Sequence, residues 1–274
     1  MLSSAVTLRA AVRPDEPLSA HTALRTGGQC GVWVVAHNVG ALVEVVADCR
    51  SVSWPIRMLG AGTRVVARDG AHRGAVVRLG TGFSTIDIED GWVVGGAVPV
   101  PALVAAAEQA GLGGLTELAN VPGTVAASVC FDGGWADVVQ EVRVLRRGRE
   151  RSIPLADLSV GRAIVTGVRL SLPSLDASGR RALARARGKQ LPVPPGSAYA
   201  SVRRGALRDV LRSAALRRVR LRGIAIPDRA PELLVNVGGG LASDLKLLQR
   251  SAIERVRKVR GLELEDRLIW IGSK

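Results

Sequence analysis

Two glycine-bearing loops place the strongest constraint on what this chain can fold into. The first follows directly on residues 55–59, an apolar stretch with the composition of a short β-strand. Glycine after a strand lets backbone N–H groups approach a phosphate closely, because no Cβ stands in the way. This loop consists of Gly60, Ala61, Gly62, Thr63 and Arg64. A glycine turn after a strand is more often a plain turn, so the loop needs further support.

The second loop joins a Pro-Gly-Thr sequence to a run of small residues. It consists of Val121, Pro122, Gly123 and Thr124, and Ser128 lies shortly after it. Small residues such as those at 126–128 allow the backbone to pack closely against a flat ligand. The guanidinium of an arginine, present at the end of the first loop, pairs well with phosphate. Together, the two loops and Ser128 predict a binding site for a dinucleotide such as FAD.

The periodicity of apolar residues predicts an α/β fold with an α+β C-terminal part. Strands are predicted at residues 32–36, 55–59, 74–79, 92–97, 141–145, 163–170 and 232–237. Helices are predicted at residues 39–49, 101–110, 179–190, 205–213 and 242–259. The pattern indicates an N-terminal extension (1–20), a first lobe (21–80), a second lobe (81–172), a proline-containing linker (173–195) and a C-terminal domain (196–274).

Composition narrows the classes of partner and site. The formal net charge is +14, which favours phosphate-rich ligands, but the basic residues are spread along the chain and aromatic residues make up only 3%. Nucleic-acid binding as the main function is therefore not expected. The sequence has three widely spaced cysteines without a C-x-x-C pair, which predicts reduced thiols and no metal site. No apolar run reaches the length of a membrane span, so a cytoplasmic protein is expected.

Several short motifs, taken in order, resemble the UDP-N-acetylenolpyruvoylglucosamine reductase (MurB) family of flavoenzymes. The resemblance extends from about His21 to Gly272 and depends on the order and spacing of the motifs together. The stretches that carry it are residues 21–28, 59–64, 69–74, 111–115, 121–124, 195–197, 236–239 and 242–244.

The resemblance implies a fold, a cofactor and a reaction. The fold is a two-lobed FAD-binding domain of the MurB and vanillyl-alcohol-oxidase type, followed by a domain that closes over a UDP-sugar. In that family NADPH reduces the flavin, the flavin reduces an enolpyruvyl ether, and a serine supplies a proton in peptidoglycan precursor synthesis. Ser197 matches that serine. A monomer without membrane insertion is expected.

The other residues that act on the substrate in that family are largely replaced here. Arg162 lies nearest to the position of the family's second-lobe arginine, although the tyrosine that accompanies it is absent. On the simplest alignment Arg267 occupies the position of the C-terminal catalytic glutamate. Three acidic residues are close enough that a shifted register restores an acid: Glu263, Glu265 and Asp266.

Three functions therefore stay open at this point. The first is a working UDP-N-acetylmuramate dehydrogenase that uses FAD and NADPH. The second is a catalytically degenerate relative that acts as a binding or regulatory protein, with or without FAD. The third is a flavoprotein of the same scaffold that acts on another substrate, since a fold alone does not determine function.

Overall fold

The computed structural model describes residues 10–88, 91–188, 197–199, 214, 216, 218–228, 233–264, 266 and 268–272. The strands are β1 Ala10–Pro14, β2 Cys30–Ala36, β3 Ile56–Met58, β4 Val65–Ala67, β5 His72–Leu79, β6 Ile86–Asp87, β7 Val93–Gly95, β8 Val139–Arg146, β9 Arg149–Ile153, β10 Ile164–Leu170, β11 Ser197–Tyr199, β12 Arg220–Leu221, β13 Ile224–Ala225, β14 Leu233–Asn236 and β15 Ile269–Ile271. The helices are α1 Val39–Ser51, α2 Val100–Gln109, α3 Val125–Phe131, α4 Ala177–Gly188 and α5 Ala242–Arg260.

These elements form two compact units. The first unit contains the described residues within 1–13, 32–60 and 74–190. The second contains those within 14–31, 61–73 and 191–274. Residues 14–31 and 61–73 thus group with the C-terminal part of the chain, a grouping that the boundaries predicted from the sequence do not contain. The predicted helix at 205–213 lies outside the described residues.

The first unit holds a four-stranded sheet in the order β1-β2-β5-β3, in which β3 and β5 run parallel. Helix α1 follows β2 and begins where predicted, because the side chain of Asn38 accepts the N–H of Ala41 at 2.9 Å. The helix buries Leu42 and Val45 in a core shared with Val34 of β2. The predicted α/β pattern of this region is confirmed.

A second sheet of the same unit is antiparallel, in the order β6-β7-β10-β8-β9. Helix α2 begins at Val100 with a proline in its first turn, as predicted. Helices α2 and α3 and the central strands contribute to one apolar core, which also includes Trp135 and Leu183 of α4. Helix α4 lies in the stretch predicted as a linker, and its buried Leu183 anchors it to this core.

The second unit contains an antiparallel sheet in the order β11-β14-β13-β12 and a parallel pair, β4 and β15. Helix α5 is its longest helix among the described residues and ends at Gly261, whose φ of 63° is left-handed. The sequence predicted this helix and its glycine stop. Leu245, Leu248 and Val256 of α5 pack in the core of the unit.

Candidate functional site

The two predicted loops meet within the first unit at Gly60 and Thr124. A Cβ on Gly60 would lie 2.6 Å from the Oγ1 of Thr124 and 3.4 Å from the Cβ of Ala127. Such a separation is too short for a carbon–oxygen contact, so the loops approach this closely because residue 60 is glycine. The structure thus brings Gly60 of the first loop close to Thr124 and Ala127, which follow Gly123 in the chain.

Backbone hydrogen bonds hold the second loop and the first turn of α3 in place. The N–H groups of Val125 and Ala126 donate to the carbonyl oxygens of Val98 and Gly96 at 2.9 and 3.0 Å. The N–H of Val100 donates to the carbonyl of Gly123 at 2.9 Å, and Gly123 has a φ of 138°. The loop therefore presents a fixed backbone, which is what close recognition of a flat or phosphate-bearing ligand needs.

Ser128 has a partner that the sequence did not indicate. The indole Nε1 of Trp135 donates to its Oγ at 3.0 Å, and both side chains are only 2% exposed. Val121 is also buried, at 8% exposed, and its N–H donates to the carbonyl of Leu118 at 3.0 Å. Ser128 and Val121 thus stabilise the loop through packing and hydrogen bonding. Thr124 is also buried, at 7% exposed.

The remainder of the first loop, Ala61 to Arg64, belongs to the second unit. Gly62 has a φ of 68°, and a Cβ there would lie 2.2 Å from the carbonyl oxygen of His21. The N–H of Ala23 donates to the carbonyl of Gly62 at 3.0 Å, and the carbonyl of Arg64 accepts the N–H of Ile269 at 3.0 Å. Glycine is thus required at position 62 both by conformation and by contact.

The predicted catalytic residues are placed as follows. Ser197 begins β11, where it lies opposite Val235 of β14. Arg162 is exposed in the turn before β10, and its N–H donates to the carbonyl of Ser159 at 3.1 Å. Arg267 lies outside the described residues. Ser197 and Arg162 thus belong to different units of the described structure.

Asp266 is one of the acids that a shifted alignment register would bring to the family's glutamate position. Both of its carboxylate oxygens accept hydrogen bonds. Its Oδ1 accepts the Nε2 of Gln249 at 2.8 Å and the N–H of Leu268 at 2.9 Å. Its Oδ2 accepts the Nε1 of Trp270 at 3.1 Å. Three donors make this carboxylate an anchor of the C-terminal segment. Glu263 is 82% exposed and lies 4.0 Å from Arg257, while Glu265 lies outside the described residues.

Two polar residues organise the second unit in ways that the sequence did not reveal. Asp69 caps helix α5 from a distant loop, because its two carboxylate oxygens accept the N–H groups of Ala242 at 2.6 Å and Ser243 at 2.9 Å. Asn236 donates to the carbonyl oxygens of Leu24 and Gly240 at 2.9 and 3.0 Å. Both residues lie in motifs that carried the resemblance, but a contact between distant segments leaves no local signal.

Burial disfavours the ionised form of two described cysteine thiols. Burial raises the pKa of the Cys130 thiol to about 11, and burial is also the main cause that raises the pKa of Cys30 to about 11. A thiolate is thus disfavoured at both positions. Across the described ranges, no group of three or more His, Cys, Asp or Glu residues is arranged to hold a metal ion.

Comparison with known proteins matches part of the chain to a class of cofactor-binding domain. Residues 31–147 match the family described as FAD binding domain, and this range includes Gly60 and Thr124. None of the helices in the described ranges has the length and apolar composition of a membrane span.

Similarity to known proteins also extends beyond that domain, over nearly the whole chain. The chain is 30% identical to UDP-N-acetylenolpyruvoylglucosamine reductase of Paracoccus denitrificans, over 99% of each chain. It is 29% identical to the enzyme of the same name from an Anaeromyxobacter species, over 97% of this chain and 90% of the relative. The crystal structure of UDP-N-acetylenolpyruvylglucosamine reductase (MurB) from Thermus caldophilus is similar with a TM-score of 0.78 and 26% identity, over 96% of this chain and 99% of that one. The chain belongs to the UDP-N-acetylenolpyruvoylglucosamine reductase family.

Proposed function

We propose that the protein binds FAD and reduces UDP-N-acetylenolpyruvoylglucosamine with NADPH, giving UDP-N-acetylmuramate. The observation that carries the proposal is the approach of Gly60 to Thr124 within the region that matches an FAD binding domain. Family membership over nearly the whole length supports the same substrate class.

The residues of the first unit fit such a cofactor. Gly60 and the small side chain of Ala127 allow the two loops to pack closely, and Gly123, with a φ of 138°, adopts a conformation that favours glycine. Hydrogen bonds to Gly96 and Val98 fix the first turn of α3 before any ligand binds. A preorganised site of this kind loses little entropy on binding. Gly60, Gly123 and Thr124 would therefore hold FAD, with Ser128 and Val121 supporting them.

Ala61, Thr63 and Arg64 of the second unit are also proposed as cofactor-binding residues, as the sequence predicts. The guanidinium of Arg64 is suited to a phosphate oxygen, since it can donate two parallel hydrogen bonds. When bound, FAD supplies the carrier of reducing equivalents between NADPH and the enolpyruvyl group.

The residues proposed for chemistry act on the substrate. The Oγ of Ser197 would give a proton to the enolpyruvyl group as it is reduced and recover one from solvent. Its place in β11, opposite Val235, supports the role because a strand paired on a sheet fixes the backbone that carries the hydroxyl. Arg162 and Arg267 would stabilise the enolate charge that develops during reduction, as cations placed near growing negative charge do.

A second candidate function is an FAD-binding protein of this family that does not turn over the substrate. The observation that favours it is the engagement of Asp266 by Gln249, Leu268 and Trp270. Asp266 cannot replace the carboxylate that the family has near this position without breaking those bonds, and on the simplest alignment an arginine occupies that place. Loss of one proton donor or oxyanion stabiliser typically lowers the rate by about 10²–10³.

A spectrum and an activity assay on the purified full chain separate these functions. Flavin absorbance, together with NADPH oxidation that requires the enolpyruvyl sugar, supports reduction. Ser197→Ala should then lower kcat by about 10²–10⁴ while flavin stays bound. Ser178→Ala, an exposed serine of α4, is the matched control and should not change the rate. Flavin without turnover supports the second function, and a protein that fails to bind added FAD overturns both.

A further inference from the structure

Helix α5 has two chemically distinct sides. One side is buried in the core of the second unit through Leu245, Leu248, Ala252 and Val256. The opposite side faces solvent along the whole helix, from Ser243 to Arg260. Because the buried side is fixed in the core, the orientation of the exposed side is fixed as well.

The exposed side carries a line of cations, which we call the basic stripe. It consists of Lys246, Arg250, Arg257 and Arg260, all exposed. With 3.6 residues per turn, these four positions fall within about 80° around the helix axis, and they extend about 21 Å along it. The half-buried Ile253 lies between Arg250 and Arg257 in the same sector, so the row of cations borders the buried side of the helix.

Acidic neighbours compensate the stripe only weakly. Glu254 lies at 3.0 Å from Lys258, which is outside the stripe, and this hydrogen bond is the main cause that lowers the pKa of Glu254. The charge of Arg250 also lowers that pKa, but as the last and smallest cause, so Glu254 offsets this stripe cation only in part. Arg257 lies 4.0 Å from Glu263, but the two side chains are 71% and 82% exposed, so water and salt screen the pair.

Helix stability accounts for only part of the stripe. Arg257 and Arg260 lie in the last turn, where cations interact favourably with the helix dipole. Lys246 and Arg250 lie in the first half of the helix, where that benefit is absent. They are also four residues apart, a spacing at which like charges destabilise a helix. A partner with negative charge would remove this repulsion.

We infer that the basic stripe binds the phosphate backbone of duplex nucleic acid. Duplex DNA carries about one negative charge per 1.7 Å, so about 12 phosphates lie along the 21 Å of the stripe. Three of the four cations are arginines, whose planar fork matches phosphate oxygens. A single strand fits less well, because the stripe has no aromatic side chain on which unstacked bases could lie.

An anionic membrane also fits less well than a duplex. Helices that lie on membranes insert an apolar face into the headgroup region. The main apolar face of α5 is already buried in the core of the second unit, and its two exposed large apolar side chains, Leu247 and Val259, lie about 120° apart around the helix. The contacts would be to phosphate alone, which predicts binding without sequence preference.

The salt dependence of binding to a 20-base-pair DNA duplex, followed by fluorescence anisotropy with the full chain, tests the assignment. Four phosphate contacts predict a slope of about −3.6 in a plot of log K against log salt, or about 150-fold weaker binding at 200 mM than at 50 mM. Arg250→Gln and Arg257→Gln should each reduce the slope by about 1. Arg181→Gln, an exposed arginine of α4 in the first unit, is the matched control and should leave the slope unchanged.

A further variant, which makes the net charge beside the stripe more positive, tests the inference even if a stripe variant fails to fold. Glu254→Gln removes the anion beside the stripe and should strengthen duplex binding several-fold. Three results overturn the assignment: a slope near zero, an equal effect of Arg181→Gln and Arg250→Gln, or tighter binding to vesicles containing 30% anionic phospholipid than to the duplex. The outcome does not depend on FAD binding or on turnover.

Discussion

Replacement of Gly60 by alanine examines the contact that joins the two loops of the candidate cofactor site. The φ of Gly60 lies outside the left-handed region, so an alanine backbone is compatible with this position. At a compatible position, this substitution stabilises a protein by about 0.4–1 kcal/mol through the unfolded state. Here, however, the new Cβ would lie 2.6 Å from the Oγ1 of Thr124.

The expected magnitude follows from these two opposing effects. Overpacking a well-packed region destabilises by about 1–3 kcal/mol. After the gain of about 0.4–1 kcal/mol is subtracted, Gly60→Ala should lower the free energy of unfolding by up to about 2.6 kcal/mol. In a Thr124→Ala background both the Oγ1 and the Cγ2, which is 3.6 Å from the new Cβ, are absent. The nearest remaining atom is the Cβ of Ala127 at 3.4 Å, an ordinary contact. The same substitution should then be neutral or stabilising by up to about 1 kcal/mol.

Urea denaturation of the four proteins of this double-mutant cycle, without added FAD, measures the effect. The coupling between positions 60 and 124 should be about 1–3 kcal/mol. Thr124→Ser is the matched control, because it retains the hydroxyl oxygen and should retain the penalty. An equal loss from Gly60→Ala in the wild-type and Thr124→Ala backgrounds would refute the proposed contact. Weaker FAD binding by Gly60→Ala alone would further place this contact within the cofactor site.

Two further predictions concern stability. Asp69→Ala removes both carboxylate contacts to the start of α5 and should destabilise the protein by about 1–2 kcal/mol in urea denaturation; Asp69→Asn should lose less, and an equal loss in both variants would contradict the capping role. The raised pKa of Cys130, about 11, means that its neutral thiol favours the folded state below about pH 9 and that this contribution is lost as the pH rises towards 11. Cys130→Ala should therefore flatten the decline in unfolding free energy over that range, and an unchanged decline would show that this thiol is not responsible.

Much of the local structure could be predicted from the sequence because its causes lie within a few residues. Asn38 indicates the start of α1 through its own side chain, and Gly261 indicates the end of α5 through its left-handed conformation. The order of the motifs was sufficient to indicate the family, and the comparisons confirm it.

The candidate site could be predicted only in part. The glycine loops were recognised because glycine at such positions has a backbone cause, and Gly60 does approach Thr124. The role of Ser128 depends on Trp135, whose indole reaches it only because the end of α3 and the following loop fold back together. In the same way, whether Asp266 is available for catalysis depends on the three residues that donate hydrogen bonds to it, Gln249, Leu268 and Trp270.

The sequence by itself determined most of the longer elements, the start of α1, the end of α5, the two glycine loops and the family, because each of these depends on local conformation or on motif order. The tertiary structure decided what the charged and polar side chains do. Asp69 caps a helix 173 residues further along, and residues 61–73 join the C-terminal part of the chain through the pairing of β4 with β15. It also decided which side of α5 is buried, and so left the four cations of the basic stripe exposed. The physical reason is that such contacts depend on which segments the shared cores and sheets bring together, and no stretch of local sequence records that.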